Sequence, residues 1–219
     1  MLTFATNSRV MALVYIKNLC DDVRLGLWRM DEEPAELLSA YPHLRLLEMP
    51  YKHAARQKEF LCVRVLLLLM TGDETLRIDY NDDGRPFVDG WQLSISHTRG
   101  YVALMLSRRH FLGIDIEYRS DRITRIVSHF IRPDEQATTP DQMLALWCAK
   151  ETLYKLHSDD HLQYFEMRQS GSPDIRTDNV GPSQEEPLGM LVLENMKQEV
   201  EVTIHVSATI DYMLTWAVT

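Results

Sequence analysis

The twenty residues from Tyr51 to Met70, "YKHAARQKEFLCVRVLLLLM", contain neither glycine nor proline. They are rich in helix formers and are expected to make one long helix, stopped at Gly72, where a left-handed residue can end it. The apolar end, "FLCVRVLLLLM" (60–70), is expected to be buried on most sides. It is shorter than the ~20 apolar residues of a membrane span and contains Arg64. No other apolar run approaches that length, so a soluble protein with no membrane partner is expected.

Around this helix the chain alternates between helical and strand patterns. "DEEPAELLSAY" (31–41) starts with acidic residues and a proline, as helix N-termini do. Past Gly72, "LRIDY", "RPFV" and "WQLSIS" read as strands separated by the turn signals "NDDG" and "DG". "YVALMLS" and "FLGIDIE" are two further strands joined by "RRH". Residues 122–132 read as helical, and 140–156, "PDQMLALWCAKETLYKL", as a helix with Pro140 at its start. Residues 169–187 are polar and full of turn formers, which predicts a long loop. "EVEVTIHV" and "YMLTWAV" close the chain as strands.

Helix then antiparallel strands, twice over, predicts an α+β fold. It is expected to be a pseudo-twofold pair of similar subdomains, 1–117 and 118–219, each a small antiparallel sheet packed with a long helix. The length of 219 residues allows this arrangement. Met11 opens a strand-like run, "MALVYI", and residues 1–10 lack the basic start of a secretory signal, so they are expected to be a dispensable extension. A net charge of -9 argues against duplex nucleic acid as the partner. Three widely spaced cysteines without a CxxC fit a reducing compartment and neither a disulfide framework nor a zinc site, so a cytoplasmic protein is expected.

The chemistry-bearing residues are few. In "GIDIE" (113–117), Asp115 and Glu117 stand two apart in a strand and point to one face, with Cβ atoms about 6.5–7 Å apart. Like charges so placed destabilise a sheet unless a cation lies between them. Both can reach one hard divalent cation such as Mg²⁺, which takes one or two protein carboxylates and completes its shell with water and phosphate; the plain alternative is a pair of solvated acids at a strand edge. In the helix, Trp147, Lys150, Glu151 and Lys155 recur at i, i+3, i+4 and i+8, which reads as one face. A carboxylate flanked by two ammonium groups suits a site that grips a phosphate and deprotonates a hydroxyl; a salt-bridged helix surface would carry similar residues. His97 in "SISHT" could bind phosphate, act as acid or base, or be structural. Arg85 in "GRP" is presented by a turn.

Together, "GRP", "SISHT", "GIDIE" and "WCAKETLYK" resemble, in order and spacing, the 4′-phosphopantetheinyl transferases, in particular the two-lobed, single-chain type that includes the surfactin-synthetase activator. The resemblance spans about Leu25 to the last strand. It implies transfer of 4′-phosphopantetheine from coenzyme A to a serine of an acyl or peptidyl carrier protein. By resemblance, Asp115, Glu117 and Glu151 match the metal ligands for Mg²⁺, with Mn²⁺ also acceptable. Lys150 and Lys155 match the lysines beside the pyrophosphate, His97 the histidine on a coenzyme A phosphate, and Arg85 the position near the 3′-phosphate. Lys58 and Arg64 are further candidates for that end of coenzyme A, and Glu135 matches a family glutamate. Glu151 is the expected base. Two departures stand out: Arg85 replaces a common lysine, and the glycines that often follow the second lysine are absent from "KLHSDDHLQYF".

Arg122, Arg125, His129 and Arg132, at i, i+3, i+7 and i+10, form a basic stripe that either docks the acidic carrier or is a solvated helix face. A complete site in one chain leads to the expectation of a monomer. A non-catalytic coenzyme A-binding scaffold and a Mg²⁺-dependent phosphohydrolase are the rival readings. Gly113 is expected to keep the backbone beside the acids free of a side chain.

Overall fold

The computed structural model describes residues 12–82, 84–175 and 189–219; the expected extension at 1–10 lies outside them. The fold is α+β, and every strand pairing is antiparallel. The first sheet holds β1 (Leu13–Cys20), β2 (Val23–Arg29), β5 (Gln92–Thr98) and β6 (Tyr101–Ser107) in the order β1-β2-β6-β5. Helices α1 (Pro34–Ala40) and α2 (Ala54–Thr71) lie between β2 and β5 in sequence, with a small ribbon of β3 (Asp79–Tyr80) and β4 (Pro86–Phe87). The second sheet runs β7-β11-β10-β9-β8, from β7 (Leu112–Tyr118), β8 (Met167–Ile175), β9 (Gly189–Asn195), β10 (Val200–Ala208) and β11 (Tyr212–Val218), and carries α3 (Pro140–Leu156).

Strand parity sets the layers. In β6, Val102, Leu104 and Leu106 face α2, while Ala103 and Met105 face the second sheet. In β7, Ile114 and Ile116 face the first sheet, and Gly113, Asp115 and Glu117 alternate with them on the side of α3. The layers therefore run α2, first sheet, second sheet, α3, with one apolar cluster in each gap.

Both long helices begin and end for local reasons. Thr139 caps α3, accepting from the Gln142 amide at 3.2 Å, while Gln142 reaches back to the Thr139 amide, and Pro140 takes the first position. Gly72 ends α2 at φ 72°, its N–H on the Leu68 carbonyl at 2.7 Å. Each helix presses on a strand glycine. A Cβ on Gly26 would come within 2.7 Å of Leu66 Cδ2, and one on Gly113 within 2.3 Å of the Thr152 carbonyl oxygen. Gly113 thus seats α3 directly on β7.

The edges β5 and β7 abut through side chains. The hydroxyls of Ser94, Ser96 and Thr98 accept from the amides of Ile114, Ile116 and Tyr118 at 3.1, 3.2 and 2.9 Å. This seam joins the two sheets.

Three expectations are corrected. Residues 122–132 form 3-10 turns at Asp121–Arg125 and Val127–His129, not an α-helix. Ile123, Thr124, Ile126, Val127 and Ile131 are β-branched, and Pro133 follows, both unfavourable to α-helix. Within the expected loop 169–187, residues up to Ile175 belong to β8, with their turn formers absorbed by a register shift between Ser170 and Asp174; 176–187 lie outside the described residues. The strand expected in "LRIDY" shrinks to Asp79–Tyr80.

Candidate active site

The site begins at the seam. Asp115 is buried at 4% exposure. Its Oδ1 accepts from Ser96 Oγ at 2.8 Å and from Lys155 Nζ at 2.7 Å. Its Oδ2 is buried and has no hydrogen-bond partner. Glu117 holds only long contacts, from Trp147 Nε1 and Thr98 Oγ1, each at 3.4 Å. Burial first, and the neighbouring Asp115 charge second, raise the Glu117 carboxyl above its ordinary value.

Helix α3 supplies the opposite wall. Trp147, Glu151 and Lys155 at i, i+4 and i+8 share its flank over β7. Lys155 also donates to the Ile114 carbonyl at 2.9 Å, which ties its ammonium to β7. Glu151 accepts from the Tyr164 hydroxyl at 2.6 Å. Burial raises its carboxyl, the Tyr164 bond lowers it, and the net shift is upward. Cys148, buried beside these acids, is held as a thiol by burial and by the Asp115 and Glu117 charges.

Two clefts open from this cluster. One, of about 460 Å³, is lined by Arg85, Ser94, Tyr154, Lys155 and Asp159. The other, of about 520 Å³, is lined by Glu117, Trp147, Arg122, Ile123, Ile126 and Leu144. His97 lies beyond the first cleft, 3.5 Å from Arg56 and 3.7 Å from Glu59, with its imidazole lowered chiefly by burial. Arg85 reaches Asp159 at 3.3 Å across the first cleft.

Three candidate residues are held elsewhere. Lys150 is fully enclosed, with its Nζ on the Phe130 carbonyl, Glu135 and the Tyr164 carbonyl at 2.7, 2.8 and 3.1 Å. All three N–H donors are used, so the expected place beside a pyrophosphate is corrected. At ~100° per residue, Lys150 is turned about 100° from Glu151, enough to carry it from the flank into the core. Arg64 is likewise buried, donating to the Phe60 and Ile78 carbonyls at 3.0 and 3.2 Å and stacked on the Phe60 ring. Lys58 is paired with Glu33 at 2.9 Å on the side of α1. Sequence reasoning did not single out Ser96, Thr98, Arg56 or Tyr164. Alternation within "SISHT" could have flagged the two hydroxyls as sharing a face, whereas Arg56 and Tyr164 reach the site only through tertiary packing.

Among the described residues, no three carboxylate, histidine or cysteine side chains already converge as a metal cage. The donors nevertheless fit a hard divalent cation: the orphaned Asp115 Oδ2 and the weakly held Glu117 are both oxygen ligands, and Mg²⁺ needs only one or two from protein.

Residues 111–196 match the family model described as the 4′-phosphopantetheinyl transferase superfamily. The matched segment includes β7, α3 and the four charged residues of the cluster, Asp115, Glu117, Glu151 and Lys155. The match supports a phosphopantetheinyl transferase reading. No curated protein matches the chain. Among the described residues, no helix is long and apolar enough to cross a membrane.

Proposed function

We propose that the protein moves 4′-phosphopantetheine from coenzyme A to a serine of an acyl or peptidyl carrier protein. The observation that carries this reading is the Lys155–Asp115 ion pair set between two clefts, one lined by Lys155 and the other by Glu117, with Glu151 on the same helix flank and within the influence of the Asp115 charge, all inside the matched segment. Lys155 and Arg85 line one cleft and would bind coenzyme A phosphates there, with His97 and Arg56 beyond it. The other cleft would admit the carrier serine past Ile123 and Ile126.

Asp115 and Glu117, with Glu151 as a third ligand, would hold Mg²⁺ or Mn²⁺, which supplies Lewis-acid polarisation of a phosphoryl oxygen when bound. Glu151, raised by burial, takes the serine proton. The serine oxygen forms the new bond to phosphorus, and the bond to adenosine 3′,5′-bisphosphate breaks. Lys155 stabilises charge building on the phosphoryl oxygens.

Arg122 lines the second cleft together with Arg99 and would meet an acidic carrier there, with Arg125 and His129 on the adjoining turns. Arg132 is already engaged by Asp134 at 2.8 Å. A whole site in one chain suits a monomer working in the cytoplasm. We read the two sheets as the two subdomains expected at 1–117 and 118–219, except that β7 (Leu112–Tyr118) pairs in the second sheet, which moves the changeover back to between β6 and β7. Mass spectrometry tests the reading: with coenzyme A, Mg²⁺ and a panel of apo carriers, one carrier gains the mass of a phosphopantetheine group. Coenzyme A binding without transfer would favour a scaffold, and release of free phosphopantetheine a phosphohydrolase.

A further inference from the structure

Lys150 sits in the middle of the Trp147–Lys155 pattern, yet its head group serves the protein interior. The Lys150–Glu135 pair has no exposed side-chain surface on either partner. Glu135 is used on both oxygens, Oε2 also accepting from the Arg132 amide and Oε1 from the Gln169 amide, each at 2.8 Å. The two carbonyls that Lys150 holds belong to Phe130 and Tyr164, and these two residues flank Trp147. Phe130 meets the indole edge-on, with centroids 5.1 Å apart at 80°, and Tyr164 stacks on it at 5.1 Å and 30°. From this stack two polar hydrogens reach the acids: Tyr164 Oη donates to Glu151 Oε1 at 2.6 Å, and Trp147 Nε1 to Glu117 Oε1 at 3.4 Å.

We infer that Lys150 is a positioning residue of the proposed transferase, setting the Glu151 carboxylate through the backbone and hydroxyl of Tyr164 rather than by touching coenzyme A. The inference rests on the transferase reading above. Tyr164 stands on a 3-10 turn (Tyr164–Glu166) beyond the end of α3, so the helix backbone does not fix its main chain. The Lys150 bond to its carbonyl is the tie across that gap. A glutamate on a helix flank has several free torsions, and anchoring one oxygen fixes the carboxylate beside Asp115 and Lys155, where small misplacements are costly in rate. A buried ion pair adds little net stability but enforces one geometry well when all its hydrogen bonds are made.

The experiment uses the full chain with Tyr164→Phe, Lys150→Met and the double variant, in the presence of Mg²⁺. Calorimetry reads the coenzyme A Kd, and transfer to an apo carrier reads kcat. Tyr164→Phe should lower kcat ~10-fold and leave the Kd within about twofold. Lys150→Met should lower kcat at least as much with Kd within about threefold, and the double variant should be no worse than Lys150→Met, because both losses act through one contact. Near-ultraviolet circular dichroism should show the Trp147–Tyr164 stack loosened in Lys150→Met, whether or not transfer occurs. An unchanged spectrum, or a Kd raised tenfold or more in Lys150→Met beside normal kcat in Tyr164→Phe, overturns the inference. If Lys150→Met does not fold, Tyr164→Phe alone decides, and an unchanged kcat overturns it. Absence of transfer by the unmodified protein instead overturns the transferase reading.

Discussion

Helices α2 and α3 each lie on one antiparallel sheet and each press against a strand glycine, Gly26 or Gly113. Their cations, however, have different fates. Arg64 of α2 is folded back on the Phe60 and Ile78 carbonyls, and Lys58 is paired with Glu33. α3 lies over β7, the edge strand of its sheet, and β11. Its flank therefore reaches the seam between the sheets, where Lys155 meets Asp115. A helix over central strands, as α2 is over β2 and β6, is enclosed on its inner face; a helix over an edge strand keeps one flank at a boundary where a ligand can enter.

The sharpest way to break this contrast is at Glu151. Glu151→Gln should cut turnover ~10²–10⁴-fold while leaving coenzyme A affinity close to normal, as expected on losing a general base; near-normal turnover in a carrier-modification assay would remove it from that role. The glycines come next. Gly113→Ala meets a backbone carbonyl and should cost about 3 kcal/mol in urea unfolding, with loss of transfer. Gly26→Ala meets the flexible ends of Leu66 and Met70 and should cost about 1 kcal/mol, with transfer retained. Equal costs would show that the two helices are seated alike. Arg64→Met should lose about 1–2 kcal/mol, for the Ile78 carbonyl left unmet, without changing coenzyme A affinity. A weaker Kd in that variant would return Arg64 to the site.

The smallest effect is in pH. His97 in the first sheet and His205 in the second are both held below the ordinary imidazole value, chiefly by burial. The fold then binds fewer protons than the unfolded chain, so stability is lost as pH falls through the unfolded value of about 6.5 toward the lower folded values. His97 is partly exposed, so screening should limit its share to a Tm change of ~1 °C, read by calorimetry at pH 7.5 and 5.5. Replacing both residues with glutamine should flatten the profile between those two pH values.

Where the chain announces its own punctuation, structure was legible in the sequence. Gly72 ends α2 and Pro140 begins α3, as read. β2 was not read, because both its faces are buried and its alternation is hidden. Within the site, same-face geometry for Asp115 and Glu117 follows from strand parity, and the flank of Trp147, Glu151 and Lys155 from four-residue spacing. Lys150 at i+3 lies at the margin of that flank, and only the carbonyls of Phe130 and Tyr164, distant in sequence, decide which way it turns. The same holds for Lys58, drawn to a glutamate 25 residues away.

The hydroxyl row of Ser94, Ser96 and Thr98 has a consequence for how the molecule keeps to itself. β7 is an edge strand, and the amides on its outer side are the kind of template on which another chain adds a strand. Three of those amides, at Ile114, Ile116 and Tyr118, are already occupied by side-chain oxygens from β5. The edge is thereby closed to a foreign strand without a covering element, and Glu117 beside it still lines a cleft that a ligand can enter.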